Sequence, residues 1–268
     1  MSAMGFDRSE DDRLVLGVPR AAFRPSPIFL GLLALFVVSA VLAWNGSGQV
    51  RFSVFLFVLS GWLVSLCLHE YAHAVVAFRA GDRSVAERGY LTLNPLKYSH
   101  PLLSIVFPVL AVLLGGIGLP GGAVWVDRHV IPGRLRHTLV SVAGPATNVL
   151  FALVLATPFV LGVDLYAHTD FWFGVAALGF LQLTASLLNL LPVPGLDGGN
   201  IIEPWLSPQW RRGYNLFAPY GFLLLIALLW NPRLGGWFFS GVDVLADLIG
   251  LPADFAAYGL RLMRFWEG

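Results

Sequence analysis

Two histidines four residues apart, with a glutamate beside the first, stand inside one of the most apolar stretches of this chain: Cys67-Leu68-His69-Glu70-Tyr71-Ala72-His73. On a helix, positions i and i+4 share a face one turn apart, so His69 and His73 can hold one metal ion. Glu70, a quarter-turn round, can reach a water on that metal. This is the spacing of zinc hydrolases, in which the metal lowers the pKa of bound water and the glutamate takes its proton. The alternative is a trio of polar residues hydrogen-bonded within a bundle. Each ionisable group in an apolar helix costs several kcal/mol unless something compensates it, and a metal does so.

Catalytic zinc takes three protein ligands and leaves a position for water. The third must come from elsewhere, and Asp197 is the only acid between Asp170 and Glu203. It follows Pro192 and Pro194, which stop a helix. It precedes Gly198 and Gly199, which permit a tight turn aiming the carboxylate back at the bundle. Taken alone, Asp197 reads as an exposed residue in a helix-terminating loop; next to a two-histidine site short of a ligand, it reads as that ligand.

The elements that must position these groups lie in lipid. Of 268 residues 57% are hydrophobic and 12% charged, against about 25% charged in a soluble domain, so the chain lacks the polar surface a water-soluble fold needs. A net charge of +1 leaves no basic surplus for nucleic acid, and a single cysteine, Cys67, excludes an internal disulfide. Between Leu14 and Leu68 there is no acidic residue. Six apolar runs, Pro27–Trp44, Phe52–Phe78, Pro101–Val126, Thr138–Val163, Phe171–Leu191 and Gly213–Pro232, are each near the roughly 20 residues that cross a bilayer. The expectation is an all-α membrane protein, a bundle of about six hydrophobic segments. The third run is broken by Pro108, Gly115, Gly116, Gly118, Pro120, Gly121 and Gly122; it is expected to be re-entrant, with Val124–Val130 extended after it. Residues 1–26 read as a polar N-terminal tail that is not a cleaved signal, 27–232 as the membrane domain, and 233–268 as a C-terminal helix, interfacial or packed on the bundle.

The motif His69-Glu70-Tyr71-Ala72-His73, together with Asn189-Leu190-Leu191-Pro192-Val193-Pro194-Gly195-Leu196-Asp197-Gly198-Gly199, resembles the site-2 protease family of intramembrane zinc metalloproteases. Ala143-Gly144-Pro145-Ala146-Thr147-Asn148 is similar to that family's Gly-Pro-x-x-Asn segment. Gly81-Asp82 and Leu91-Thr92-Leu93-Asn94-Pro95-Leu96-Lys97 fit a compact prokaryotic branch without PDZ or CBS domains. The resemblance implies Zn2+ held by His69, His73 and Asp197, with Glu70 as catalytic acid/base. Asn148 and Asn189 line the site, steadying substrate or oxyanion, or else make helix–helix hydrogen bonds; Asn94 organises its loop. Tyr90, Tyr98 and His100 stand where that branch would carry Arg, His and Asp.

Positive-inside counting tests the topology. If all six runs cross and the N-terminus is cytoplasmic, Asp197 falls outside and His69 near the inner face, and the site is broken. With the third run re-entrant, 13 of the 17 Lys and Arg residues lie inside and both motifs end on the cytoplasmic side. The expected function is hydrolysis of peptide bonds in transmembrane proteins within or near a prokaryotic cell membrane, with a locally unwound substrate pairing along Val124–Val130. The competing reading is a non-catalytic metal-binding membrane protein, a zinc transporter or a pseudoprotease that only binds transmembrane helices.

Overall fold

The computed structural model describes residues 14–15, 18–98, 106, 109, 110, 112 and 124–267. Among them the fold is helical, with one minimal ladder in which Leu14–Val15 (β1) pairs antiparallel with Val18–Pro19 (β2). Four of the six apolar runs become single long helices: α1 (Pro27–Trp44), α2 (Val50–Ala80), α4 (Arg134–Val160) and α5 (Thr169–Leu190), each long and apolar enough to cross a membrane. A short helix α3 (Ser84–Glu87) follows α2. Local chemistry sets the ends. Ser26 accepts from Phe29 N at 3.2 Å and Pro27 takes the first helical position of α1, the pairing that suits a helix start. Gly81, at φ +122°, ends α2 in a conformation other residues adopt only under strain.

Helix α5 is the hub. Buried residues make up 78% of its most apolar window, against 22% for α1 at the edge. Phe57, Val58 and Trp62 of α2 pack with Leu178 and Leu181 of α5. Ala152 and Ala156 of α4, with Leu188, form a second cluster on the other side. Small residues set the closest approaches: a Cβ on Gly61 would lie 2.6 Å from Leu178 Cδ2 and 2.7 Å from Phe36 Cε2. The outer face of α1 leaves Leu30, Val37, Val38 and Val41 about half exposed, a stripe whose natural solvent is lipid.

The last third departs from the simple count of runs. Gly213–Pro232 is not one straight helix. It is divided between α7 (Pro208–Phe217) and α8 (Gly221–Trp230), two pieces bent by 71°. Pro219 lies at the break, where it supplies no N–H and crowds the preceding turn. Ten residues reach only about 15 Å, so α8 cannot cross alone. Likewise residues 232–262 form two helices rather than one, α9 (Pro232–Leu248) and α10 (Ala253–Leu262), bent by 115° around Gly250 (φ +75°) and Pro252. Helix α10 lies against α5 so closely that a Cβ on Gly259 would strike the carbonyl oxygen of Phe173.

The end of the N-terminal tail is docked. Ser26 N donates to Thr92 O at 2.8 Å, and the Phe23 ring packs edge-on against Phe78 at 5.6 Å. Most of the third run (101–105, 107–108, 111 and 113–123), and with it the re-entrant path, lies outside the described residues. The described segments on either side of it nevertheless meet. Asp127 N donates to Asp82 Oδ2 at 2.8 Å, and Val140 O accepts from His73 at 2.6 Å. The chain therefore enters α4 at the end of the bundle where it left α2, and 83–133 makes no net crossing. Val124–Val130 is non-helical, as expected, but forms no strand ladder among the described residues: 124–127 are irregular and a turn follows at Arg128–His129. Carboxylates hold it instead. Asp82, 1% exposed, accepts from Ser84 N (3.0 Å) and Ser84 Oγ (2.7 Å) with one oxygen and from Asp127 N with the other.

Asp82→Ala should leave these part-buried donors without their acceptor, at a cost of about 1 kcal/mol. The expected outcome is a lower unfolding temperature in detergent and faster tryptic cleavage at Arg128, with helical content retained.

Candidate metal centre

Helix α2 delivers His69, Glu70 and His73 to the interior, at 4%, 3% and 6% exposure. The two Nε2 atoms are 3.0 Å apart. Asp197, 124 residues beyond His73, begins α6 (Asp197–Ile202) and sets Oδ2 3.3 Å from each Nε2. Zinc bonds of about 2.0–2.1 Å at tetrahedral angles put donor atoms about 3.3–3.4 Å apart. Two of the three edges here, at 3.3 Å, are those of such a face and the third, at 3.0 Å, is slightly shorter, so these residues fit a zinc ion and leave a fourth position open.

Helix α4 explains why the imidazoles point as they do. Val140, Gly144 and Asn148 fall four apart on one stripe facing α2. Val140 O accepts from His73 Nδ1 at 2.6 Å and Asn148 Oδ1 accepts from His69 Nδ1 at 3.1 Å. With both Nδ1 atoms donating, both Nε2 lone pairs face Asp197. Outer partners of this kind fix the tautomer and orientation of metal-binding histidines. Gly144 lies between the two acceptors because nothing larger fits: a Cβ there would fall on Nε2 of both histidines. The Gly-Pro-x-x-Asn segment is thus a cradle, with Asn148 bonded to a ring nitrogen of His69.

Asp197 is positioned by a compact path out of α5. The helix ends at Leu190, Val193 N closes a turn on Leu191 O at 2.7 Å, and Gly195 adopts φ +89°. The sequence-based reason for Gly198 and Gly199 needs correction. They make no turn; they lie inside α6. A Cβ on Gly198 would strike Leu190 O, and one on Gly199 would strike Val193 O. They are glycines because α6 folds back onto the backbone it has just left.

Glu70 lies beside the three donors. Its Oε1 is 4.0 Å from His69 Nε2, and its Oε2 accepts from Val124 N at 2.9 Å. The irregular segment after the third run therefore touches the site through its first described residue. Asn189 is buried on the last turn of α5, and among the described residues it makes no hydrogen bond to His69, Glu70, His73 or Asp197. Asn94 caps its own loop, accepting from Leu96 N at 3.0 Å. Tyr98 is buried, with its hydroxyl donating to Cys67 O at 3.5 Å; burial above all pushes its phenol far up, so it stays a neutral donor. Cys67 packs with Phe29, Val64 and Leu93, away from the metal face. His100 lies outside the described residues. Val140 and Gly144 as a cradle were not singled out from sequence, and Val124 was read as an edge for substrate rather than as a partner of Glu70; Val140 and Val124 act through backbone atoms, which leave no mark in the sequence.

Asn148→Ala should weaken zinc binding by about 10–100-fold, measured by chelator competition, while Asn148→Asp, which keeps an acceptor, should remain near the wild type. Gly144→Ala should abolish stoichiometric zinc with helical content unchanged by circular dichroism.

Comparison with known proteins agrees with zinc as the metal. Neither a family model nor a solved structure matches the chain. A Mycolicibacterium smegmatis protein named "Putative zinc metalloprotease Rip2" is 47% identical over 256 residues, covering 92% of this chain and 96% of its own length. The Mycobacterium tuberculosis protein of the same name is 49% identical over 252 residues, with the same coverage. A Bacillus subtilis "Putative zinc metalloprotease YwhC" is 34% identical over 178 residues, covering 63% of this chain and 78% of its own. Similarity of this extent, carried almost end to end by relatives of matching length, makes the chain a member of the site-2 protease family of zinc metalloproteases.

Proposed function

We propose that this protein hydrolyses peptide bonds of transmembrane proteins near the cytoplasmic face of the cell membrane, with His69, His73 and Asp197 as zinc ligands and Glu70 as general acid/base. The observation that carries the proposal is the meeting of three metal-binding atoms with a fourth, unligated carboxylate, all buried in a bundle whose outer surface is apolar. Bound zinc would supply the Lewis acid that polarises a scissile carbonyl and makes water acidic enough to deprotonate near neutral pH. Glu70 is the group that accepts that proton and returns it to the leaving amine. Its bond from Val124 N holds one carboxylate oxygen and leaves the other toward the metal-binding face. Val140 and Asn148 keep the imidazoles neutral at Nε2 and aimed.

The substrate class is supported by access and depth. Helix α2 is about 46 Å long at about 1.5 Å per residue, more than the roughly 30 Å of hydrocarbon it would cross. His69 is its twentieth residue, which supports a site at the far boundary of the core, where a transmembrane helix and water can both arrive. A helical substrate has its carbonyls engaged, so a stretch must unwind before attack. The irregular backbone at Val124–Asp127 is the nearest described non-helical segment against which an unwound strand can lie. The side is argued from charge: Arg79, Arg83, Arg88, Lys97, Arg128, Arg134, Arg136, Arg211 and Arg212 belong to segments at the site's end of the bundle, as the positive-inside rule requires of a cytoplasmic face.

A transporter would need acids or histidines strung along a path. Among the described residues, His69, His73 and Asp197 form the one group able to hold a metal, which favours catalysis over transport. Glu70→Gln should lower turnover of a single-span substrate by about 10²–10⁴-fold with zinc content retained, whereas Asp197→Ala should lose both. A Glu70→Gln protein that cleaves normally would remove the assignment. Val124→Pro, which deletes the N–H held by Glu70, should slow cleavage at unchanged zinc occupancy.

A further inference from the structure

On the same end of the bundle, away from the metal centre, the first turn of α4 faces the linkage between α6 and α7 across a cavity of about 450 Å³ lined by Gly133, Arg134, His137, Pro208, Arg211 and Arg212 among others. No acid lines it. Glu203, just beyond, pairs with Arg128 and lies 3.6 Å from Arg211. Arg134 and Arg212 have no ion-pair partner among the described residues, so a fixed positive charge remains at the mouth.

The backbone adds to it. Two helices begin at this cavity, α4 after Gly133 and α7 after Ser207. Neither N-terminus is capped by a side chain, and neither has an acid in its first turn. Each therefore presents unpaired N–H groups and the positive end of its dipole. Free N–H groups, helix dipoles and guanidinium forks around one concavity are the elements of a phosphate site. The surroundings set its depth. Trp205 and Trp210 stand 55% and 75% exposed beside it. Helix α7 carries Arg211, Arg212 and Asn215 on one side, with exposed Leu216 and Phe217 following, the make-up of a helix lying in a membrane interface.

We infer that this cavity binds a phosphate-bearing anion at the membrane surface, with Arg134 and Arg212 as its principal charge contacts. The inference does not depend on the proteolytic reading. An occupant here would brace α4 against Pro204 and Leu206, in the segment that follows the helix beginning with Asp197.

The test uses the full zinc-loaded chain and two probes. The first is retention of phosphatidylglycerol over phosphatidylcholine, read by native mass spectrometry after release from mixed-lipid nanodiscs. The second is the shift in unfolding temperature in pure phosphatidylcholine nanodiscs when inorganic phosphate replaces chloride at constant ionic strength. The wild type should respond to at least one probe: the first alone identifies a lipid headgroup as the source, the second a free phosphate. R134Q/R212Q should lower that affinity by about 25-fold, and R212Q alone, at an exposed position that leaves folding intact, by about fivefold. R51Q/R233Q, which removes the same charge elsewhere, should bind as the wild type does. Absence of both responses in the wild type overturns the proposal. So does unchanged binding in R212Q, or an equal loss in R51Q/R233Q.

Discussion

Everything in this fold answers to one constraint: two imidazoles and a carboxylate held about 3 Å apart where little water can solvate them. Buried ionisable groups in an apolar bundle are tolerated only with compensation, and here a bound cation would supply it. Asp197 offers a negative charge to two rings whose other nitrogens already donate to protein acceptors, and the remaining lone pairs converge on a point a zinc ion fits. Helices α2, α4 and α6 must meet for this to happen, and the closest approaches in this part of the molecule serve that meeting. Gly144 brings α4 onto the imidazoles, and Gly198 and Gly199 let α6 fold back against the end of α5.

Helix α4 is therefore more than a membrane span. Its stripe of Val140, Gly144 and Asn148 orders both histidines at once, one through a backbone carbonyl, one through a side-chain amide, with a gap between them. The two contacts lie eight residues apart on α4 and four apart on α2, and Gly144, midway on the same stripe, leaves the room the two rings occupy between them. The nearby acids work in the same way at longer range. Asp82 ties the segment after the third run to the end of α2. Glu203 ties Arg128 of that segment to Arg211 and Asn215 of α7. The non-helical parts around the site are thus fixed by carboxylates rather than by strand pairing.

Membership of the site-2 protease family agrees with this architecture, since the relatives match 92% of the chain and so span both motif regions. The geometry also clarifies a topological point. Whatever the route of 99–123, α2 ends and α4 begins on one side, which keeps α2 and α5 parallel and brings Asp197 to the depth of His69. Counting every apolar run as one straight crossing fails because Gly and Pro change what an apolar run can do, and Pro219 likewise breaks the sixth run into two bent pieces.

What the sequence determined by itself is local. Long runs without charge become helices because neither water nor an alternative backbone pairing competes with the helix in lipid, and four of them do so nearly within the read boundaries. The His-Glu-x-x-His spacing states metal chemistry because i and i+4 share a face whatever the helix packs against. Asp197 was legible as the missing donor only because no other acid was near in the chain. The tertiary structure decided the rest: that Val140 lends a carbonyl and Asn148 an amide oxygen, that Gly198 and Gly199 serve close packing rather than a turn, that Val124 reaches Glu70, and that two helix starts and three arginines enclose one cavity. These depend on backbone atoms common to all residues and on distances between segments many tens of residues apart. No periodicity encodes them; they exist only once the helices have chosen their neighbours.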